Sequence, residues 1–200
     1  RNVDAPLALD RLDQDGARFA VDQPGDGVEV ADESIRQLDG AAGGQVERLV
    51  DDVSIPNATC FSPDGKTAYL ADGSRQRVWR WSLNASGDPV GEREVHISLK
   101  GEDFYPDGAV CDSEGYLWNA QWGGSRLARY APDGSRDQTI ELPVSQPSCP
   151  AFGGEEMNLM FVTTAREGLS DESLEQQPDA GKVIVIEMDV TGLPEVQARI

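Results

Sequence analysis

The sequence holds a single histidine, His96, and that scarcity removes several chemistries. A Ser-His-Asp triad needs an imidazole beside a nucleophile, and His96 lies in Arg93-Glu94-Val95-His96-Ile97, which reads as a strand. Cysteine is nearly as sparse. Cys60, Cys111 and Cys149 are far apart, odd in number and never spaced as C-x-x-C. That excludes a structural zinc knuckle, a thioredoxin-like dithiol and a dense disulfide framework. Each thiol is expected to act as a small buried apolar side chain in a reducing compartment. No apolar run approaches the roughly 18–20 residues that cross a bilayer, and no basic segment leads into an apolar one as in a signal peptide. A cytoplasmic location is the expectation. Lysine is short as well: Lys66, Lys100 and Lys182 are the only three, and 17 basic residues face 36 acidic ones for a net charge of −19. An acidic surface repels phosphate backbones and anionic lipid, so neither nucleic acid nor membrane is expected as a partner. The charge serves solubility, or adaptation to high salt. G-x-S-x-G, P-loop and dinucleotide fingerprints are missing, and no segment carries a long helical period.

What the chain does have is a repeat. Leu12-Asp13-Gln14-Asp15-Gly16, Phe61-Ser62-Pro63-Asp64-Gly65 and Cys111-Asp112-Ser113-Glu114-Gly115 align, their closing glycines 49 and 50 residues apart. Each leads into a short apolar stretch: Ala17–Val21, Thr67–Ala71 and Tyr116–Ala120. A weaker fourth copy runs from Phe152-Gly153-Gly154-Glu155-Glu156 into Leu159–Thr163. Two-residue alternation follows in Arg77–Leu83, Arg126–Tyr130 and Lys182–Ile186, as in half-buried strands. Turn formers separate them: Pro63-Asp64-Gly65, Gly123-Gly124-Ser125 and Pro132-Asp133-Gly134. A repeat of roughly 40–50 residues built from about four strands is the signature of propeller blades, each covered by its neighbours. A β-sandwich is the other all-β solution, and the regular spacing favours the propeller. Trp79, Trp81, Trp118 and Trp122 are read as blade packing, with a stacking role near the channel open to Trp122.

The repeat also aligns polar residues. Asn57 stands eight residues before Gly65 and Asp107 eight before Gly115, each directly after a proline, and Pro147-Ser148-Cys149 occupies the matching place in the fourth copy. First strands of successive blades surround a central channel, so Asn57, Asp107 and Ser148 are expected to converge there. A carboxylate with an amide oxygen suits a hard divalent cation. Pro-Asp-Gly is equally a common turn. It occurs three times, and the copies at Asp64 and Asp133 fall between strands as plain turns, so spacing alone leaves Asp107 open to both readings.

At these residues the chain resembles the senescence marker protein-30 (regucalcin)/gluconolactonase family. Ile55-Pro56-Asn57, Phe61–Gly65 and Tyr69-Leu70-Ala71-Asp72 resemble one blade of it. Tyr105-Pro106-Asp107-Gly108 with Glu114–Trp118 resembles the next, and Pro147–Gly154 with Phe161–Arg166 the last. The ordered likeness covers residues 46–194. It implies a six-bladed propeller with one divalent metal (Ca2+, Zn2+, Mg2+ or Mn2+) in the channel and a sugar lactone as substrate. It implies Asn57 as an amide ligand, and Asp107 as both ligand and general base. The metal would polarise the lactone carbonyl and keep Asp107 ionised while that carboxylate helps a water attack. The family's Gly-Glu-Gly-Pro-like and Asn-Asp-Gly motifs have no counterpart here. Leu38–Gly44 leads straight into Gln45–Leu49, and Glu29 or Glu33 is left as the source of a further carboxylate. The expectation is one propeller domain over residues 1–200, incomplete, with about four blade-like units of six. That, and a start at Arg1, points to a piece of a longer chain. A non-catalytic calcium-binding or interaction propeller and a related esterase or organophosphate hydrolase are the alternative functions.

Overall fold

Turn chemistry sets the strand ends. Between β1 (Pro56–Phe61) and β2 (Thr67–Asp72), Gly65 adopts φ +66°, a conformation that glycine takes without a side-chain clash. Its N–H donates to the Ser62 carbonyl (2.9 Å), and the Asp64 carboxylate accepts from Ser62 Oγ (2.7 Å) and Lys66 N (3.1 Å). The meander continues through β3 (Arg77–Leu83) and β4 (Pro89–Ser98) to complete a four-stranded antiparallel sheet. A second sheet repeats the order with β5 (Tyr105–Cys111), β6 (Leu117–Trp122), β7 (Arg126–Tyr130) and β8 (Arg136–Glu141). The third holds β9 (Pro147–Gly153), β10 (Leu159–Thr164) and, after a short helix, β11 (Val183–Glu187). This computed structural model describes residues 48–194. The first repeat copy at Leu12–Gly16, with Glu29 and Glu33, lies outside the described residues.

The three sheets are successive blades of an all-β propeller, and among the described residues they do not close a ring. Forward-facing Tyr69, Ala71, Val78 and Ile97 of the first blade pack with Leu117, Ala128 and Tyr130 of the second. Trp118, Ala120 and Leu127, on the opposite face of the second, pack with Met160 and Val162 of the third. The two-residue alternation of each strand thus builds two inter-blade cores. Strands expected at 77–83 and 126–130 form with those bounds, and β11 begins at Val183, one residue late. Asp64 and Asp133 are turn residues, as expected; Asp133 accepts from Ser135 N and Oγ. The helix α1 (Asp171–Gln176) is capped by Ser170, whose Oγ accepts from Ser173 N at 3.2 Å. No helix among the described residues is long and apolar enough to cross a membrane.

One expectation about thiols is corrected. Cys111 is buried and Cys60 half-buried, but Cys149 is exposed, because its ladder partner is the exposed Thr163, one step from the buried Pro150–Val162 pair.

His96 lies in β4, 8% exposed, with its ring 5.0 Å from that of Tyr69 and neither ring nitrogen hydrogen-bonded. Burial, reinforced by the charge of Arg80 and opposed by Asp133, depresses its pKa to about 4 from an ordinary 6.5. The unfolded chain therefore binds the extra proton between those values, and stability present above pH 6.5 is lost as the pH falls toward 4. We expect this group to contribute about 3 kcal/mol to that loss. Urea unfolding at pH 7, 5 and 4 measures it: His96→Phe should be less acid-sensitive than the native chain, and identical pH dependence would refute the assignment.

Candidate functional site

Three prolines open the axial strands: Pro56 heads β1, Pro106 is the second residue of β5, and Pro147 heads β9. Proline fixes φ and gives no N–H to a ladder, so it suits an unpaired strand edge. Just past each proline the ladder breaks. β1 slips between Asn57, paired with Ala71, and Cys60, paired with Tyr69. β5 slips between Pro106, paired with Gln121, and Ala109, paired with Asn119, which leaves Asp107 and Gly108 out of register. In the third blade Ser148 falls between the paired residues Pro147 and Cys149. A bulge bends its strand and re-aims the side chain it carries. All three residues picked out by spacing stand at or beside such an irregularity, and all three are half-buried.

The strands bearing them are neighbours, β1 packing on β5 and β5 on β9. The second contact is close. A methyl group on Gly108 would sit 2.7 Å from Ser148 O and from Cys149 Sγ, and 2.8 Å from Cys149 Cα. Gly108→Ala should therefore push β9 away from Asp107 and destabilise the chain by about 1–3 kcal/mol through overpacking. Thermal melting checks the loss, and an unchanged melting temperature would contradict the tight approach. The Ser148 hydroxyl is already engaged with Thr163 Oγ1 at 2.7 Å, so Asn57 and Asp107 remain the stronger ligand candidates. Cys149 is exposed as a residue, but its Sγ packs toward Gly108, and that loss of water, then the charge of Asp107, push the thiol above its ordinary range. Among the described residues no three His, Cys, Asp or Glu side chains gather around a common point. The thiols do approach one another: the contact with Cys111, and then burial, raise the Cys60 thiol well above its usual range.

Two residues that support this site escape spacing arguments. Asp72, 0% exposed, accepts from Ser54 N (3.1 Å), Ile55 N (3.2 Å), Ser74 N (3.1 Å) and Ser74 Oγ (2.7 Å). Burial alone would raise its pKa, but these bonds outweigh it and keep the carboxyl below its usual range. Asp72 thereby ties down the segment that leads into Asn57. Asn119 of β6, also fully buried, donates from Nδ2 to the carbonyls of Asp107 and Gly108, both at 3.1 Å. The signal for each was a polar residue inside an otherwise apolar second strand, Tyr69-Leu70-Ala71-Asp72 and Leu117-Trp118-Asn119-Ala120.

Comparison with known proteins gives one consistent match. The profile of the SMP-30/Gluconolactonase/LRE-like region matches residues 11–166. An L-arabinolactonase of Azospirillum brasilense is 39% identical over 74% of this chain and 49% of its own length. Rabbit (Oryctolagus cuniculus) regucalcin is 36% identical over 75% of this chain and 51% of its own. The crystal structure of regucalcin from Agrobacterium tumefaciens, described as a calcium-binding protein, superposes with a TM-score of 0.76 at 41% identity, covering 78% of this chain and 54% of that one. The chain spans about half the length of the curated relatives it matches.

Proposed function

The chain belongs to the SMP-30/gluconolactonase/LRE-like family, and from that membership we propose that it takes part in metal-dependent hydrolysis of a sugar lactone. The observation that carries this reading is the repeated axial irregularity, which presents an amide at Asn57 and a carboxylate at Asp107 from adjoining strands. These oxygen donors fit a hard divalent cation of the Ca2+, Mg2+ or Mn2+ type, and Zn2+ also accepts carboxylate oxygen. Asn57 and Asp107 would hold it, with water or substrate oxygens completing the set. When bound, the cation supplies Lewis-acid polarisation of the lactone carbonyl.

Asp107 is the general base. Its carboxylate takes a proton from the water that attacks the carbonyl carbon. The ring C–O bond then breaks, and the proton passes to the departing ring oxygen, giving the open hydroxy acid. The Asp72 and Asn119 contacts hold the backbone around the two donors, so that less reorganisation is needed when substrate arrives. Three thiols, Cys60, Cys111 and Cys149, none in a disulfide, suit a reducing compartment such as the cytoplasm.

The deciding experiment follows acid release from gluconolactone and arabinolactone. Turnover should vanish in EDTA and return with added Ca2+ or Mn2+. Undiminished turnover in EDTA would sink the proposal. A second reading, a calcium-binding propeller without turnover, draws on the chain's spanning only about half its relatives' length. Metal binding with no acid release from any lactone or ester would favour it.

A further inference from the structure

We infer that Asn119 is a positioning residue for Asp107, its side-chain amide pinning the Asp107–Gly108 bulge and so fixing where the Asp107 carboxylate stands. This rests on the reading of Asp107 as ligand and base. Asn119 sits in β6 among Leu117, Trp118 and Ala120, 0% exposed, where a polar group is costly unless hydrogen-bonded. Both of its bonds go to one place. Two carbonyls, Asp107 O and Gly108 O, each lie 3.1 Å from Nδ2. Two acceptors on the same side settle which way the amide faces. They are the carbonyls of the two residues that the register shift removes from the β5–β6 ladder, so the side chain supplies donors there that the ladder does not. One of the two residues is glycine, the least restrained of all backbones.

Two further observations separate this role from simple support of the fold. The first blade forms a bulge at the matching place without any such amide. Register equates Asn119 with Leu70, and there Ala58 takes φ 54° instead. The bulge is thus available to this fold without an asparagine behind it. In addition, Asn119 Oδ1 is buried with no hydrogen-bond partner. A buried orphan acceptor is unfavourable by about 1–3 kcal/mol, and an apolar residue at 119 would avoid it. The two carbonyl bonds are what the asparagine provides in return.

The experiment compares Asn119→Leu with the native chain and Gln121→Leu. Gln121 is a buried amide two residues along the same strand face, but its side chain binds Tyr130 Oη (2.8 Å) and Arg126 Nε (2.6 Å), not the bulge. Calorimetric titration with Mn2+ should show affinity about 10–100-fold weaker in Asn119→Leu, the range found when a ligand's orienting partner is removed, with Gln121→Leu near native. The second readout needs neither metal nor turnover. Cys149 is the exposed thiol, and its Sγ packs on the bulge, 2.7 Å from where a Cβ on Gly108 would stand. At one fixed pH the rate of its alkylation by iodoacetamide should therefore rise in Asn119→Leu, where the bulge is unpinned, but not in Gln121→Leu. Asn119→Ser serves if the leucine variant does not fold. Native affinity and a native alkylation rate in the Asn119 variants would overturn the inference. If the native chain binds no Mn2+ while the alkylation rate changes, the metal reading fails and the positioning role stands.

Discussion

Asp107→Ala is expected to abolish divalent-cation binding and to lower lactone turnover by at least about 10²–10⁴-fold, the span usual for losing a general base alone, with little change in stability. The fold should tolerate it because Asp107 lies out of register in β5 and belongs to neither inter-blade core. The chain carries its own controls. Asp64 and Asp133 occupy the same Pro-Asp-Gly tripeptide, yet each holds a tight turn through its neighbours. Alanine at either should loosen that turn and leave cation affinity alone. Asp107→Asn divides the two roles of the carboxylate. The amide keeps an oxygen donor but cannot accept the water's proton, so turnover should fall further than affinity. Calorimetry with Mn2+ and pH-stat assay of lactone opening measure the two quantities. Native cation affinity in Asp107→Ala would remove the residue from the site.

Arg129→Met is expected to produce the largest loss of stability, about 3–5 kcal/mol, the cost of leaving a buried charge without its partner. Arg129 is 7% exposed and binds three carboxylates at once. Nε donates to Asp112 Oδ2 at 2.8 Å, Nη1 to Asp137 at 2.9 Å, and Nη2 to Glu114 at 2.7 Å. Its guanidinium also stacks 3.8 Å above the Tyr116 ring. Burial opposes the charge, but the three carboxylates more than compensate and hold its pKa above the ordinary value. Asp112 is the vulnerable partner: fully buried, it also accepts from Trp118 Nε1 at 3.0 Å. Without the guanidinium its negative charge is stranded beside the inter-blade tryptophan. Lysine cannot substitute, since one ammonium does not reproduce a planar fork aimed at three acceptors. Urea unfolding should show the deficit, and Asp112→Asn added to Arg129→Met should recover part of it. A loss under 1 kcal/mol for Arg129→Met would show the network to be dispensable.

Sequence patterning captured the strands because a blade's physics is local. Alternation in Arg77–Leu83 and the positive-φ glycines at 65 and 115 act within a few residues, so they leave a readable trace. The shared repeat position of Asn57 and Asp107 was legible for the same reason, since each stands eight residues before one of those glycines. The irregularities beside them were not, because a ladder slip depends on which residue of the next strand stands opposite. The supports were hidden too. Asn119 reaches back eleven and twelve residues, and Asp72 reaches seventeen and eighteen, distances at which no spacing rule operates. The exposure of Cys149 could not be read either, because it depends on which blade face remains open. Val183 at 57% and Val185 at 52% exposure stand on the same side of the sheet, since Thr163 is the ladder partner of both Val183 and Cys149.

The break in the ladder at each axial strand has an evolutionary corollary. A residue released from backbone pairing can be exchanged, or its neighbour inserted or deleted, without shifting the alternation of the rest of the strand. Asparagine, aspartate and serine already occupy that place in three successive blades. Variation can therefore enter at one codon per repeat, while selection for foldability acts on the strands behind it.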